Sequence, residues 1–415
     1  MKKSNRILRA GVAAALATFA GTAVAAGLAI GTQSGSGTGN AFAGGAASAE
    51  DASTVWYNPA GMTALPKGTQ FAVAAHFLNP SFNFTNTGST GPVFAAAGAT
   101  DGGNGGGWAA IPQGFVTTSL GDNWRVGLAF NTPFGLKTEF DALWRGRFTA
   151  QKSELKTFNL NLGVAYKIND VISIGGGANY QRLELDFNSA SAAGTADIKA
   201  SDNGTGFNLG ALFQLTPETR AGIAYRSAIN FQPTGRVNFS GAPGLNSNIT
   251  AGLTEPESAS LSVFSAVSPR WDVMGDITWT RWSRVKSIPF IRTSLAPGAV
   301  VSTLTFNWSD SLRYSVGGNY KMNDSWKLRA GVAYDQTPTN NVDRTSRIPD
   351  QNRTWLAIGA QYRISKAAAL DFGYAHEFIK TATVNNAVAG VPGRLIGEFN
   401  NSSVDILSVQ YTHSF

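Results

Sequence analysis

The chain has 415 residues, 43% of them apolar and only 14% charged, with a mean hydropathy of −0.07. Its 47 glycines and 11% aromatics exclude a disordered chain, which is poorer in aromatics and richer in charge, and the absence of cysteine excludes a disulfide framework, a thiolate metal site and a cysteine nucleophile. The net charge is +7, but four of the 33 basic residues fall within the first 25 positions, which leaves 29 against 26 acids, a balance that does not support a nucleic-acid partner.

Residues 1–25 read as a secretory signal. A basic stretch from Lys2 to Arg9 precedes the apolar run Ala10–Ala20, and Ala23-Val24-Ala25 supplies a small-residue cleavage site. Cleavage leaves Ala26 as the mature N-terminus, and no cysteine follows to carry a lipid. Beyond it no run of about 18 apolar residues offers a spanning helix. A membrane barrel is not excluded, because its strands alternate their faces and a hydropathy average hides them.

Residues 26–67 are rich in Gly, Ala and Ser, lack sustained alternation and end in Asn58-Pro59-Ala60-Gly61. From residue 68 the period becomes two. In Phe158–Ile168 every even residue is large and apolar and every odd one polar or small, and the same split runs through Leu312–Lys321 and Trp326–Asp335. Successive strand side chains point to opposite faces, so one face meets lipid and the other a polar lumen. Fourteen such segments occur, near 68–78, 111–120, 123–131, 151–168, 171–187, 204–216, 218–231, 257–268, 270–282, 310–322, 325–335, 353–365, 368–379 and 403–415. The connections between them alternate without exception. Short turns such as Asn169-Asp170 and Asn323-Asp324 separate long loops at 79–110, 132–150, 188–203, 232–256, 283–309, 336–352 and 380–402.

That alternation is the short-turn, long-loop asymmetry of outer-membrane barrels. It predicts an all-β chain, a transmembrane antiparallel barrel of 14 strands over residues 68–415. Both termini then face the periplasm. Trp271 and Trp279 bracket one outward apolar stretch, and Trp326 and Tyr334 another, as interfacial girdles require. The chain closes on Val409-Gln410-Tyr411-Thr412-His413-Ser414-Phe415, which resembles the C-terminal signal of outer-membrane proteins. Phe415 is thus expected to engage the barrel assembly machinery, although His413 departs from the usual large apolar residue.

Several ordered segments resemble the FadL/TodX family. They are Gly37–Gly44, Ala49–Ser53 and Asn58–Gly61, then Asn131-Thr132-Pro133-Phe134-Gly135-Leu136, Trp144-Arg145-Gly146-Arg147, Ser153–Thr157 and Arg347–Trp355. The resemblance spans the mature chain. It implies a fourteen-stranded barrel with an N-terminal hatch, residues 26–67, as a plug inside the lumen, marked here by Asn58, Pro59 and Ala60. It further implies capture of a hydrophobic compound among outer loops, binding at an internal apolar site, and sideways release beside a kinked early strand as the hatch moves. Neither an energy source nor a cofactor is implied. Long-chain fatty acids and toluene-like aromatic hydrocarbons are both substrates of that family.

The residues add their own constraints. Loop 132–150 carries Phe134, Leu136, Phe140, Leu143, Trp144 and Phe148, too apolar for an idle solvated loop. They are expected either to line a capture groove, in which case alanine at Trp144 or Phe148 weakens ligand binding, or to pack the loop onto its neighbours. Inward-phase cations Arg226, Arg313, Lys327, Arg329 and Arg363 are expected to pair chiefly with the inward acids Asp272, Asp276 and Asp371 in a lumen network, the other use being a substrate carboxylate. Catalysis and metal binding find no support. His376-Glu377 starts a zincin-like pattern but Lys380 stands at the second histidine position, no G-x-S-x-G elbow occurs, and Gly37 and Gly39 lack a flanking strand and helix. The competing readings are a general diffusion porin, which needs no plug, and a barrel enzyme acting on lipids.

Overall fold

The computed structural model describes residues 27–415, so the signal expected at 1–25 lies outside the described residues. Fourteen strands close into one antiparallel barrel: β1 Thr69–Asn86, β2 Ala109–Leu120, β3 Trp124–Asn131, β4 Lys152–Lys167, β5 Ile172–Ser191, β6 Gly194–Gln214, β7 Thr219–Arg226, β8 Ser258–Ala266, β9 Trp271–Thr280, β10 Ser311–Lys321, β11 Trp326–Asp335, β12 Arg353–Arg363, β13 Ala368–Ile379 and β14 Val391–Ser414. Each pairs with the next, and β14 returns to β1 from Gln70↔Ser414 to Asn86↔Gly397. Every strand thus has a neighbour on each side, the condition for crossing a lipid phase with strands.

The outward rows are exposed and apolar, for example Leu160, Leu162 and Val164 on β4 and Leu356 and Ile358 on β12. At the short-turn end, tryptophans pair with tyrosines across neighbouring strands: Trp124 with Tyr166, Trp271 with Tyr320 and Trp326 with Tyr362, at centroid distances of 4.6, 4.8 and 4.9 Å. These pairs form one lipid girdle.

Three expected loops are strand in part or in whole. β1 runs eight residues past the expected end at 78, the 188–203 loop is the tip of the β5–β6 hairpin, and β14 begins at Val391 within the 380–402 loop. The physical reason is a change of solvent. Above the lipid band the outward row becomes polar (Asn79, Ser81 and Asn83 on β1; Arg182, Glu184 and Asp186 on β5), while Phe82, Phe84, Leu183, Leu185 and Phe187 turn inward and are buried. An apolar-outward pattern stops at the lipid edge although the strand continues. The other long connections carry short strands of their own, among them Gly135–Glu139, Thr234–Phe239 and Ser287–Arg292. Segment 218–231 breaks at Ser227, and Ile229–Phe231 pairs instead with Leu253–Glu255.

Residues 27–63 lie in the lumen as short, largely buried turns, and Ala64–Gly68 lead out to β1. α1 (Gly35–Thr38) is capped by Ser34, whose Oγ accepts from Gly37 N at 3.1 Å, and α2 (Gly45–Ser48), α3 (Thr54–Tyr57) and a 3-10 turn at Pro59–Ala64 follow. Pro59 suits the first position of that turn, where its missing N–H costs nothing.

Candidate functional site

Two features meet inside the barrel: an interruption in the wall and a cavity beside it. β3 pairs with β2 only from Gly114↔Phe130 to Leu120↔Trp124. Beyond Asn131 the chain turns away at Thr132-Pro133-Phe134, and its continuation Gly135–Glu139 pairs with β4 alone. Residues Ala109–Gln113 of β2 therefore keep their β1 partners but have none on the β3 side. Pro133 explains the break, since it has no N–H to offer a neighbouring strand.

The N-terminal segment latches onto this edge. Ala29 and Phe134 form an antiparallel bridge, Ile30 N donates to Pro133 O at 2.7 Å, and Gly135 N donates to Leu28 O at 2.9 Å. Side chains complete the seal. Gln33 Nε2 donates to Thr132 O (3.0 Å), Asn131 Nδ2 to Gln33 Oε1 (2.6 Å) and Gln113 Nε2 to Thr32 O (2.6 Å). At the start of the latch Gly27 N donates to Asp350 Oδ2 at 3.0 Å, and Asp350 in turn pairs with the fully buried Arg353. The Arg347–Trp355 motif thus holds the beginning of the plug.

The cavity, about 220 Å³, lies between the latch, the plug and β6–β11. Its lining includes Ile30, Phe42, Trp56, Tyr57, Pro133, Phe134 and Trp282, with the polar groups Arg226, Asp276, Arg313 and Asp335. A largely apolar hollow with a few converging polar groups is the usual form of a small-molecule site. An apolar cavity of about 150 Å³ already admits benzene, so this space takes a monoaromatic ring or a stretch of alkyl chain. Phe134 meets Trp282 edge-on at 6.0 Å, and Trp282 meets Trp308 at 5.0 Å. A Cβ on Gly27, whose φ is +63°, would come within 2.9 Å of the Trp282 ring, so the tight latch requires glycine there.

The lumen cations behave differently from one another. Arg329 holds Glu50 of the plug with both terminal nitrogens (2.6 and 2.7 Å) and Asp371 of β13 at 2.6 Å, while Lys327 reaches Glu50 at 2.7 Å. Of the expected cation–acid pairs only Arg329–Asp371 forms among the described residues, and the main acid of the network, Glu50, is in the plug. Asp272 takes Lys321 at 2.7 Å, whereas Asp276 is bonded to Ser262 and Thr278. Arg226 and Arg313 have no carboxylate ion pair among the described residues. Arg226 stacks on Trp56 and donates to Trp56 O and Asn179, and Arg313 stacks on Trp355 and donates to Ala41 O at 2.7 Å, its buried Nε finding no partner. Arg363 is exposed at the strand end. In the loop above, Glu255 accepts from Gln181 Nε2 at 2.6 Å; burial pushes its carboxyl up to about 8, against the pull of Gln181 and Arg226, and presents an uncharged group at neutral pH.

The expected hatch motif sits where the wall has no side chains. Asn58 Nδ2 donates to Ala46 O (2.7 Å) and to Ala211 O of β6 (3.0 Å), and its Oδ1 accepts from Ala60 N. A Cβ on Gly210 would lie 1.9 Å from Asn58 Oδ1, and one on Gly175 2.6 Å from Ala60 N. Between the two anchors the consecutive residues Ala41 and Phe42 hold left-handed backbone, φ 50° and 56°. Each costs on the order of 1–3 kcal/mol, so that turn of the plug is strained.

The six loop residues separate. Phe134 lines the cavity, and Leu143 is exposed. Leu136, Phe140 and Trp144 are buried, with Trp144 stacked on Phe140 at 4.3 Å, edge-on to Phe84 and bonded through Nε1 to Ala150 O at 2.7 Å. Phe148 is partly buried against the same core. Packing is thus the observed role of Leu136, Phe140 and Trp144. Trp144→Ala should cost about 3–5 kcal/mol locally and open 132–150 to proteolytic nicking while the barrel stays folded; a loop that remains uncut would contradict this.

Comparison with known proteins gives a consistent picture. The family described as outer membrane protein transport protein (OMPP1/FadL/TodX) matches residues 16–415. The chain is 29% identical to outer membrane protein P1 of Haemophilus influenzae, over 91% of this chain and 90% of that one, and 26% identical to the long-chain fatty acid transport protein of Escherichia coli K12, over 93% and 95%. Among solved structures it superposes on a Pseudomonas aeruginosa FadL homologue with a TM-score of 0.86 at 26% identity, covering 94% and 100% of the two chains. The Ralstonia pickettii toluene transporter TbuX shares the fold, with a TM-score of 0.68 at 18% identity over 92% and 98%.

Proposed function

This chain belongs to the OMPP1/FadL/TodX family of outer-membrane transporters of hydrophobic compounds, and from that premise we propose that its substrate is a long-chain fatty acid released sideways through the wall between β2 and β3. One observation carries the reading: Pro133 and Phe134 line the cavity and also form the interrupted edge that residues 28–33 seal. A ligand in the cavity therefore lies against the latch, and withdrawal of the latch opens a path from cavity to lipid. Exposed Leu143 is assigned to capture at the outer surface, and the buried aromatics of its loop support that surface. The path replaces water by apolar wall, worth roughly 25 cal/mol per Å² of apolar area covered, and release into lipid needs no energy source. In the same reading, Phe415, packed beside Phe71 and His413, is the handle for the barrel assembly machinery.

The fatty-acid assignment rests on Arg313, which faces the cavity with no carboxylate at ion-pair distance among the described residues, and on the relatives named as long-chain fatty acid transport proteins. The TodX- and TbuX-like fold keeps aromatic hydrocarbons as the second reading. Arg313→Met should raise the Kd of purified protein for oleate about tenfold or more, as loss of a charged hydrogen bond of about 1.5–3 kcal/mol implies, and leave toluene binding unchanged. Equal effects on both ligands, or no effect on oleate, would overturn the carboxylate role.

A further inference from the structure

On the long-loop side of the cavity lies a second hollow, about 10 Å³, which Leu253, Glu255 and Val285 of the outer connections help to line. Leu28 of the latch and Leu155 of β4 close it from the other sides. Phe134, Pro256 and Trp282 border both hollows and so form the neck between them. A space of that size holds about one water molecule, so a ligand moving from the loops to the cavity has to part these side chains. The neck is apolar but for one carboxyl, that of Glu255, which is 5% exposed; Thr254 turns its hydroxyl away to Asn230.

Glu255 is held from one side only. Gln181 Nε2 donates to its Oε2 at 2.6 Å, while its buried Oε1 has no hydrogen-bond partner among the described residues. Arg226 of β7 is the cation that acts on it, yet that guanidinium stacks on Trp56 and donates to Trp56 O and Asn179. The other charged groups on the surrounding elements are engaged or face away. Glu257 is held by Arg281 and Arg284, and Asp202 accepts from Gln232 N. Register puts Lys137, Glu154, Lys156 and Arg182 on the face opposite to Leu155 and Gln181, and Glu139 and Lys286 are exposed. With Oε2 already accepting from Gln181, Oε1 is left to carry the proton of the neutral acid. The protein itself offers that O–H no acceptor, and a buried polar group without a partner calls for an explanation.

We propose that Glu255 is a specificity-determining residue at the entrance to the cavity, where its Oε1–H donates to the carboxylate of a long-chain acid as that head passes the neck. The proposal builds on the fatty-acid reading and adds an order of contacts to it. The head enters first and exchanges water for Glu255 where the surroundings are most apolar. It then meets Arg226 and Arg313 in the cavity, while the alkyl chain follows between Phe134 and Trp282. A hydrogen bond from O–H to a carboxylate is charge-assisted and stronger than one between neutral groups. Once ionised, Glu255 has no proton to donate and repels the head. A hydrocarbon has no head to be recognised, so this residue sorts acids from hydrocarbons before either reaches the cavity.

Association rates of the purified full chain test this, with hexadecanesulfonate as a long-chain anion that stays ionised throughout and hexadecane as the neutral control, both followed by tryptophan fluorescence. Burial holds the Glu255 carboxyl up at about 8, so it is protonated at pH 7 and ionised at pH 9.5. The wild-type rate for the sulfonate should therefore fall at least tenfold between those values, with its midpoint near or above about 8, while the rate for hexadecane stays level. Glu255→Gln keeps a donor at every pH and should flatten the sulfonate profile. Glu255→Leu should be slow for the sulfonate at both values. A wild-type sulfonate rate that is level with pH overturns the assignment even if a variant fails to fold, and leaves the fatty-acid reading standing because the anion still binds. A pH dependence that persists in folded Glu255→Gln, or an equal fall for hexadecane, overturns it as well. Wild-type protein that binds neither oleate nor the sulfonate at any pH refutes the fatty-acid reading, and the assignment with it.

Discussion

With Ala29 and Phe134 both replaced by cysteine, oxidation should stop uptake of a hydrophobic substrate, and a reductant should restore it. The two residues face each other across the antiparallel bridge that joins the latch to the broken edge. Opposed residues in such a pair have Cα atoms about 4.5–5.5 Å apart, inside the range of about 4.4–6.8 Å that a disulfide spans. The chain has no cysteine of its own, so the engineered pair has no competing partner. A closed disulfide holds residues 28–33 against Pro133 and keeps the interval beside Ala109–Gln113 sealed. We expect at least a tenfold loss in the oxidised form. The reduced form is the control for losing the Phe134 ring from the cavity. Unchanged uptake by the oxidised protein would mean that substrate leaves elsewhere.

The second large effect concerns the other end of the plug. Arg329→Met should release it, because the change strips Glu50 and Asp371 of their shared cation while both remain inside the barrel. Removing one partner from a buried pair costs about 3–5 kcal/mol, much of it the desolvation of the charge left behind. Lys327 still reaches Glu50 but cannot serve Asp371 as well, and the strained turn at Ala41 and Phe42 has less to hold it. The barrel itself is secured by its closed ladder and should stay folded. Residues 27–68 should become susceptible to protease, and small polar solutes should leak through. Adding Asp371→Asn to Arg329→Met should recover much of the seal, since Glu50 keeps Lys327 and no unpaired charge then remains. A plug that stays protected in Arg329→Met would show that the contacts of Asn58 and Ala60 with β6 suffice alone.

How far the sequence announces this molecule depends on which solvent a residue faces. All fourteen strands are legible because lipid on one side and lumen on the other impose a period of two. Their upper ends are not, as β1 shows. Past Leu78 the outward side chains are Asn79, Ser81 and Asn83 and the apolar ones point inward, so the pattern inverts while the ladder continues. The wall break is written in the sequence as Asn131-Thr132-Pro133-Phe134-Gly135, with Pro133 as its cause. What seals the break is not written there, because Gln33, Gln113 and Thr132 are unremarkable polar residues until the fold brings them together. Glu50 hides in a Gly- and Ala-rich segment 279 residues before Arg329. The apolar loop 132–150 shows the opposite difficulty. Composition marks it correctly as packed against something, but cannot tell a residue that faces a ligand, Phe134, from one that holds the loop together, Trp144.

A barrel plugged in this way should act as a gated path for greasy molecules and not as an open pore. The most direct test is the uptake of labelled oleate, and of a small labelled sugar, by a strain lacking its own transporters and expressing this chain. Oleate entry should rise severalfold above the empty strain while sugar entry stays at background. Rapid sugar entry without any gain for oleate would contradict the account and identify an open aqueous pore.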